Sequence, residues 1–108
     1  MEVKAQNINL RPEDYELLLQ LVKKHLPKAT IWAFGSRITP QARPSSDLDL
    51  AVFITKEDEA RFYDLKEACE ESNLNVRIDL HNWRYLPEPF RQQIRQQHIV
   101  FYQPKQRS

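Results

Sequence analysis

Glycine, cysteine and methionine each occur only once in this chain of 108 residues. Because average glycine usage is about 7%, a single glycine indicates a position where the backbone itself must approach something closely. That residue, Gly35, directly follows the apolar run Thr30–Phe34. The single cysteine, Cys69, cannot form an internal disulfide. This favours a reducing compartment, and we expect a cytoplasmic protein.

A long apolar run and an excess of one charge are also missing. No apolar segment approaches the roughly 20 residues that a membrane helix needs, and we expect no signal peptide because the first residues lack an apolar region. The 16 lysines and arginines nearly balance 15 aspartates and glutamates, for a formal net charge of +1. We therefore expect no membrane association, for want of an apolar run, and no direct nucleic-acid binding, for want of an overall basic field.

The length and composition favour a single small domain over residues 1–108, with a polar, frayed tail at about 103–108. Hydrophobic residues make up 41%, enough for a modest core. Apolar periodicity predicts the order helix, strand, strand, helix, strand, helix, strand. This order is typical of an α/β fold in which a small mixed β-sheet is flanked by helices.

The predicted elements have recognisable boundaries. The helices are expected at 12–26, 55–72 and 87–97, and the strands at 30–34, 47–54, 76–81 and 99–102. Thr55 and Asp58 resemble a capping box at the start of the second helix. Phe90 and Ile94 are expected to face inward from the third helix.

Two aspartates of the second predicted strand carry the chemistry. Asp47 and Asp49 occupy positions i and i+2, and such side chains lie about 6.6 Å apart on one face of a strand. Two such carboxylates can share one metal or hold two metals roughly 3.5–4 Å apart. Magnesium prefers oxygen ligands and keeps substrate phosphates in its shell. Asp79 alternates in the same way on the third strand, where it could hold a second ion and accept the proton of an attacking hydroxyl.

The turn at Gly35 and Ser36 offers hydrogen-bond donors to the side of a phosphate that faces away from the metal. Its backbone N–H groups and the Ser36 hydroxyl can hold phosphate oxygens, and Arg37 can add a fork of donors. Arg77 shares the predicted face of Asp79 and either contacts a triphosphate or neutralises the carboxylates. Since imidazole is a poor ligand for magnesium, His81 is interpreted as a polar residue at a strand end.

An Asp-x-Asp pair alone is common on protein surfaces, but the joint pattern is more specific. The chain reads Gly35-Ser36, then ten residues, then Asp47-Leu48-Asp49 on a strand, with Asp79 on the next strand. This signature resembles the nucleotidyltransferase superfamily that includes DNA polymerase beta. In particular, the chain is similar to the minimal nucleotidyltransferase (MNT) proteins that are paired with HEPN-domain partners in prokaryotic toxin–antitoxin systems.

The resemblance implies an activity and a set of site residues. AMP would be transferred from ATP to a hydroxyl, with two Mg²⁺ ions held by Asp47, Asp49 and Asp79 as the catalytic and metal-binding residues. Gly35, Ser36 and Arg37 would bind the nucleotide phosphates. The acceptor would be a tyrosine of a HEPN ribonuclease toxin in a hetero-oligomeric complex, so that this chain would act as the antitoxin.

The chain departs from the family pattern directly after this turn. Family members often follow Gly-Ser-Arg with a small residue and a second glycine, whereas Ile38-Thr39-Pro40 stand here. The difference affects the conformation of the loop and the direction of Arg37, but leaves the carboxylates unchanged.

Two other functions remain open from the sequence. One is a nucleotidyltransferase that modifies a small molecule such as an antibiotic, although such enzymes usually carry extra domains that enclose the acceptor. The other is a non-catalytic antitoxin that acts by binding alone, which the intact set of three carboxylates disfavours. A template-directed polymerase does not fit, because the chain has no duplex-gripping domain and no basic excess.

Overall fold

The computed structural model describes residues 8–104, which contain three α-helices and four β-strands. In chain order they are α1 (Pro12–His25), β1 (Thr30–Phe34), β2 (Leu48–Phe53), α2 (Glu59–Glu70), β3 (Ile78–Asn82), α3 (Glu88–Gln96) and β4 (Ile99–Tyr102). This is the predicted order of elements. Of the predicted tail, residues 105–108 lie outside the described part. None of the helices within 8–104 has the length and apolar character needed to cross a bilayer.

The strands form one mixed sheet in the order β3-β2-β1-β4. The central strand β1 is antiparallel to both β2 and β4, whereas β2 and β3 run parallel. The crossover from β2 to β3 contains α2, as parallel neighbours require. As a result, β3 is an edge strand, and the candidate carboxylates of β2 and β3 lie on adjacent strands.

The two faces of the sheet carry separate apolar clusters. The larger cluster packs under α1 and α2, and its buried members include Leu18, Val22, Ile31, Ala33, Leu48, Leu50, Val52, Phe62, Leu65 and Leu80. The smaller cluster lies on the opposite face with α3, and it consists of Phe34, Ala51 and Ile94 with Trp32, Phe53, Trp83 and Leu86 packed against it. The sheet therefore has a thick hydrophobic face and a second face that combines apolar and polar side chains.

Alternation along β2 fixes which face each side chain takes. Leu48 and Leu50 are fully buried in the larger cluster. Burying one leucine side chain contributes about 1.5–3 kcal/mol, and a shift of one residue would expose both leucines while burying Asp49. The register is therefore strongly set, and Asp49 points to the face that carries α3.

Two local predictions for the helices are wrong. Thr55 makes no side-chain cap hydrogen bond; it precedes the short 3-10 turn Lys56–Asp58, and α2 begins only at Glu59. The capping box is therefore not formed. Phe90, expected to face inward, remains 36% exposed, whereas Ile94 is 2% exposed as predicted. The difference arises because the smaller cluster covers the helix at Ile94, one turn after Phe90.

Candidate active site

The parallel register of β2 and β3 brings two of the predicted carboxylates together. Asp49 pairs directly with Asp79 across the two strands. Side chains of directly paired residues leave the same face of the sheet. The expectation that Asp79 faces the same crevice as the β2 carboxylates is therefore met for Asp49.

His81 lies between these two carboxylates. Its Nε2 atom is 3.4 Å from Oδ1 of Asp49 and 3.4 Å from Oδ2 of Asp79. One ligand atom from each of the three residues lies within 4.8 Å of the others. The hydrogen bond with Asp49 raises the pKa of His81; burial opposes this shift, and the charges of Asp79 and Asp49 add to it. The imidazole thus lies within the acidic cluster, and is not simply a solvated residue at a strand end.

Asp47 occupies a different position. It precedes the first residue of β2, is half-buried, and is not part of the cluster formed by Asp49, Asp79 and His81. The last paired residues at this end of the strands are Leu48 and Ile78, so Asp47 has no carboxylate directly opposite it. The structure thus brings together two of the three predicted metal ligands, and the role of Asp47 stays a prediction.

Gly35 lies directly against the Asp49 carboxylate. Its φ angle is +87°, a backbone conformation that favours glycine. A β-carbon at position 35 would lie 2.7 Å from Oδ2 of Asp49, closer than carbon and oxygen can approach without displacement. The close approach predicted from the single glycine is thus present, and its immediate partner is the carboxylate. Ser36 follows, half-buried, at the start of the 3-10 turn Ser36–Ile38.

The structure gives Arg37 partners other than the predicted phosphate. The residue is 8% exposed. Its Nε atom donates to the carbonyl of Ser46 at 3.0 Å, Nη1 donates to that of Asn9 at 2.8 Å, and Nη2 donates to that of Pro44 at 3.0 Å. These carbonyls lie in the loops around the turn, so the guanidinium joins the loops from inside the protein.

The donor chemistry of the cluster fits magnesium. Asp49 and Asp79 present hard carboxylate oxygens on neighbouring strands, which is the ligand type that Mg²⁺ prefers. The imidazole of His81 suits softer metals, but hydrogen bonds from such a side chain can orient ligating carboxylates. The side chain of Asp79 is 51% exposed and that of Asp49 is 27% exposed. Both are thus accessible to a substrate that brings its own phosphates.

Sequence reasoning left His81 out of the site. The available signal was its position two residues after Asp79 on an alternating strand, which puts both side chains on one face. Ligand preference then argued against a role in the site, because imidazole is a poor ligand for magnesium. The structure instead shows His81 in contact with the carboxylates themselves.

Comparison with known proteins identifies a family and a relative. The family described as "Polymerase beta, Nucleotidyltransferase" matches residues 16–107. A relative from Haemophilus influenzae, named "Probable protein adenylyltransferase MntA", is 36% identical over 94 residues, which are 86% of this chain and 82% of the relative.

Solved structures show the same fold. One chain of a toxin–antitoxin structure with AMP-PNP has a TM-score of 0.63 at 22% identity, covering 84% of this chain and 74% of that one. One chain of the complex between the tri-AMPylated HEPN toxin and the MNT antitoxin of Shewanella oneidensis has a TM-score of 0.53 at 22% identity, covering 84% and 71%. With the family match over most of its length, the Gly-Ser turn and the paired carboxylates, this chain belongs to the polymerase beta family of nucleotidyltransferases.

Proposed function

We propose that this protein transfers AMP from ATP to a tyrosine hydroxyl of a HEPN-domain toxin and thereby acts as its antitoxin. The observation that carries the proposal is the pairing of Asp49 with Asp79 on adjacent parallel strands, with Gly35 packed against the Asp49 carboxylate. The relative named as a protein adenylyltransferase supports the reaction class. The solved complexes of MNT antitoxins with HEPN toxins support the class of partner.

The carboxylates and the turn would bind different parts of the metal–nucleotide complex. Asp49 and Asp79, with Asp47 at the start of β2, would hold magnesium, which when bound neutralises phosphate charge and favours the transition state. The Gly35-Ser36 turn would hold the phosphate chain with backbone N–H groups and the Ser36 hydroxyl. Catalysis of this kind depends mainly on positioning and on stabilising charge.

Asp79 is the group best placed to accept a proton. It lies on the edge strand β3, and its side chain is 51% exposed, so a hydroxyl of a partner protein can reach it. The acceptor oxygen forms a bond to the α-phosphorus while the bond from that phosphorus to the bridging oxygen breaks. Pyrophosphate leaves, and the hydroxyl proton passes to a carboxylate oxygen of Asp79.

The test is incorporation of labelled AMP into the HEPN partner. The purified partner is incubated with this protein, ATP labelled at the α-phosphate, and magnesium. We expect label on the partner with the unmodified protein and none with Asp49→Asn. The matched control is Asp64→Asn, which removes an exposed carboxylate from α2, and it should label the partner normally. Equal labelling by Asp49→Asn would contradict the proposal.

A further inference from the structure

One face of α3 is turned toward the Asp49 carboxylate and remains only partly covered. Phe90, Gln93, Ile94 and Gln97 follow one another at i, i+3, i+4 and i+7, so their side chains share a face of this helix and its C-terminal cap. Together with Phe34, Gly35 and Asp49 they line a cavity of about 320 Å³. This volume lies at the lower end of the range for small-molecule sites.

The walls of this cavity have two kinds of chemistry. Phe34 and Ile94 are 7% and 2% exposed and form an apolar floor, and the Phe90 ring, 36% exposed, lies edge-on to Phe34 with ring centres 5.8 Å apart. Gln93 and Gln97 are exposed. Within residues 8–104 their side-chain amides make no hydrogen bond to the protein. The cavity thus combines a flat apolar surface with two side-chain amides that are available to hydrogen-bond a ligand.

We propose that this cavity binds the nucleobase of the ATP substrate, with Gln93 and Gln97 reading the edge of adenine. A glutamine amide offers both a donor and an acceptor, and it matches the paired acceptor and amino group that adenine presents on one edge. The apolar floor and the Phe90 ring suit the faces of a purine. The inference rests on the proposed function, because it assumes that the phosphates lie at the Gly35-Ser36 turn.

The position of the cavity favours the nucleotide over the acceptor. Gly35 and Asp49 form one of its walls, so a base bound there is adjacent to the phosphate turn. Asp79, the proposed proton acceptor, lies on β3 at the sheet edge, whereas Phe34 and Gly35 lie at the end of β1 on the other side of β2. Nucleotide and protein acceptor would therefore approach Asp49 from opposite sides.

The test compares binding of Mg-ATP with binding of Mg-tripolyphosphate, which has the phosphates but no base. The variant Gln93→Ala/Gln97→Ala removes both amides. The matched control Gln92→Ala/Gln96→Ala removes two exposed glutamines of the same helix, at the same spacing, that do not line the cavity. By calorimetry we expect the first variant to bind Mg-ATP about tenfold more weakly, the effect of losing hydrogen bonds to the base. We expect this variant to bind tripolyphosphate as the unmodified protein does. The control variant should bind both ligands as the unmodified protein does.

Several results would overturn the inference. Unchanged Mg-ATP binding by Gln93→Ala/Gln97→Ala would do so, as would an equal loss for both ligands, which would mean that the amides serve the phosphates. Normal Mg-ATP binding with weaker modification of the HEPN partner would assign the cavity to the acceptor instead. If the unmodified protein bound neither ligand, the proposed function itself would fail. By contrast, labelling of the partner by the unmodified protein together with any of the first three results would reject only the base site.

Discussion

Gly35 shows how one residue connects backbone geometry to the candidate site. Its positive φ angle and the 2.7 Å approach of a hypothetical β-carbon to Asp49 Oδ2 both exclude a side chain. A substitution there would displace the carboxylate or the turn. The only glycine of the chain is therefore at the contact between the Gly35-Ser36 turn and the strand that carries Asp49.

We expect Gly35→Ala to lower the free energy of unfolding by about 1–3 kcal/mol, the usual cost of a side chain in such a backbone conformation. Urea unfolding measures this. In an Asp49→Ala background the same change should cost less, because the contact with Oδ2 is gone and only the backbone strain remains. Equal stability of Gly35→Ala and the unmodified protein would contradict this account of the glycine.

The face that Asp49 takes can be predicted from the sequence, whereas the contacts of His81 cannot. Alternation along β2 puts Asp49 on the face opposite Leu48 and Leu50, because the strand period is two residues. The contact of His81 with two carboxylates required knowledge of which strand pairs with which, and in what register. Local pattern fixes the face of a side chain, but pairing between strands decides its neighbours.

At the scale of elements, the loop between β1 and β2 depends on the buried Arg37. This side chain bonds three backbone carbonyls, and one of them belongs to Asn9, 28 residues earlier in the chain. Sequence could not predict such partners, because carbonyl acceptors are the same for every residue type. The sequence interpretation assigned the fork of donors of Arg37 to phosphate, whereas in the structure those donors bond backbone carbonyls.

Arg37→Ala should lower the free energy of unfolding by about 2–4 kcal/mol, since three partly buried carbonyls would lose charged donors. The matched control is Arg43→Ala, which removes an exposed arginine from the same loop and should have little effect. Urea unfolding and Mg-ATP calorimetry are measured together. Full stability of Arg37→Ala with lost Mg-ATP binding would instead support the phosphate contact that the sequence predicted.

Asp14 ties the first turn of α1 to the segment that leads into β3. It is 4% exposed, accepts a hydrogen bond from Nε of Arg11 at 3.1 Å and accepts another from the backbone N–H of Asn75 at 3.1 Å. Burial alone would raise its pKa. The hydrogen bonds from Arg11 and Asn75, together with the charges of Arg11 and Arg37, outweigh burial, and the pKa is lowered from its ordinary value of 3.8.

This shift gives a pH dependence of stability. A carboxyl group whose pKa is lower in the folded state stabilises the fold above its unfolded-state pKa, and this contribution is lost as pH falls through the folded-state value. The difference in unfolding free energy between the unmodified protein and Asp14→Asn should therefore shrink as pH falls from neutral to below 3.8. Glu13→Gln, a more exposed carboxylate in the same turn, is the control. A difference that stays constant down to pH 2 would contradict this.

At the scale of the whole molecule, the order of elements and the mixed sheet followed from sequence because apolar periodicity is local. The same periodicity predicted that Ile94 faces inward from α3, and this residue is buried. Helix starts were less well predicted: the Thr55 capping box does not form, since a 3-10 turn precedes α2. The exposure of Phe90 was also missed, because it depends on how far the second face of the sheet is covered.

The two faces of the sheet differ in what they contribute: one carries most of the core, and the other carries the candidate site. The face under α1 and α2 holds most of the apolar core, whereas the face under α3 carries the acidic cluster and the candidate base cavity. Changes on the second face can therefore alter chemistry while the larger core keeps the fold. Under the proposed function, this division would let the face under α3 hold the nucleotide while the edge strand β3 stays open to a partner.

Intact-protein mass spectrometry of the HEPN partner tests the central claim most directly. The partner is incubated with this protein, ATP and magnesium, and with Asp49→Asn or Asp79→Asn in parallel. The account predicts mass increases in whole steps of one AMP, absent with both variants. A partner that forms a stable complex but never gains mass would contradict enzymatic transfer and would indicate an antitoxin that acts by binding alone.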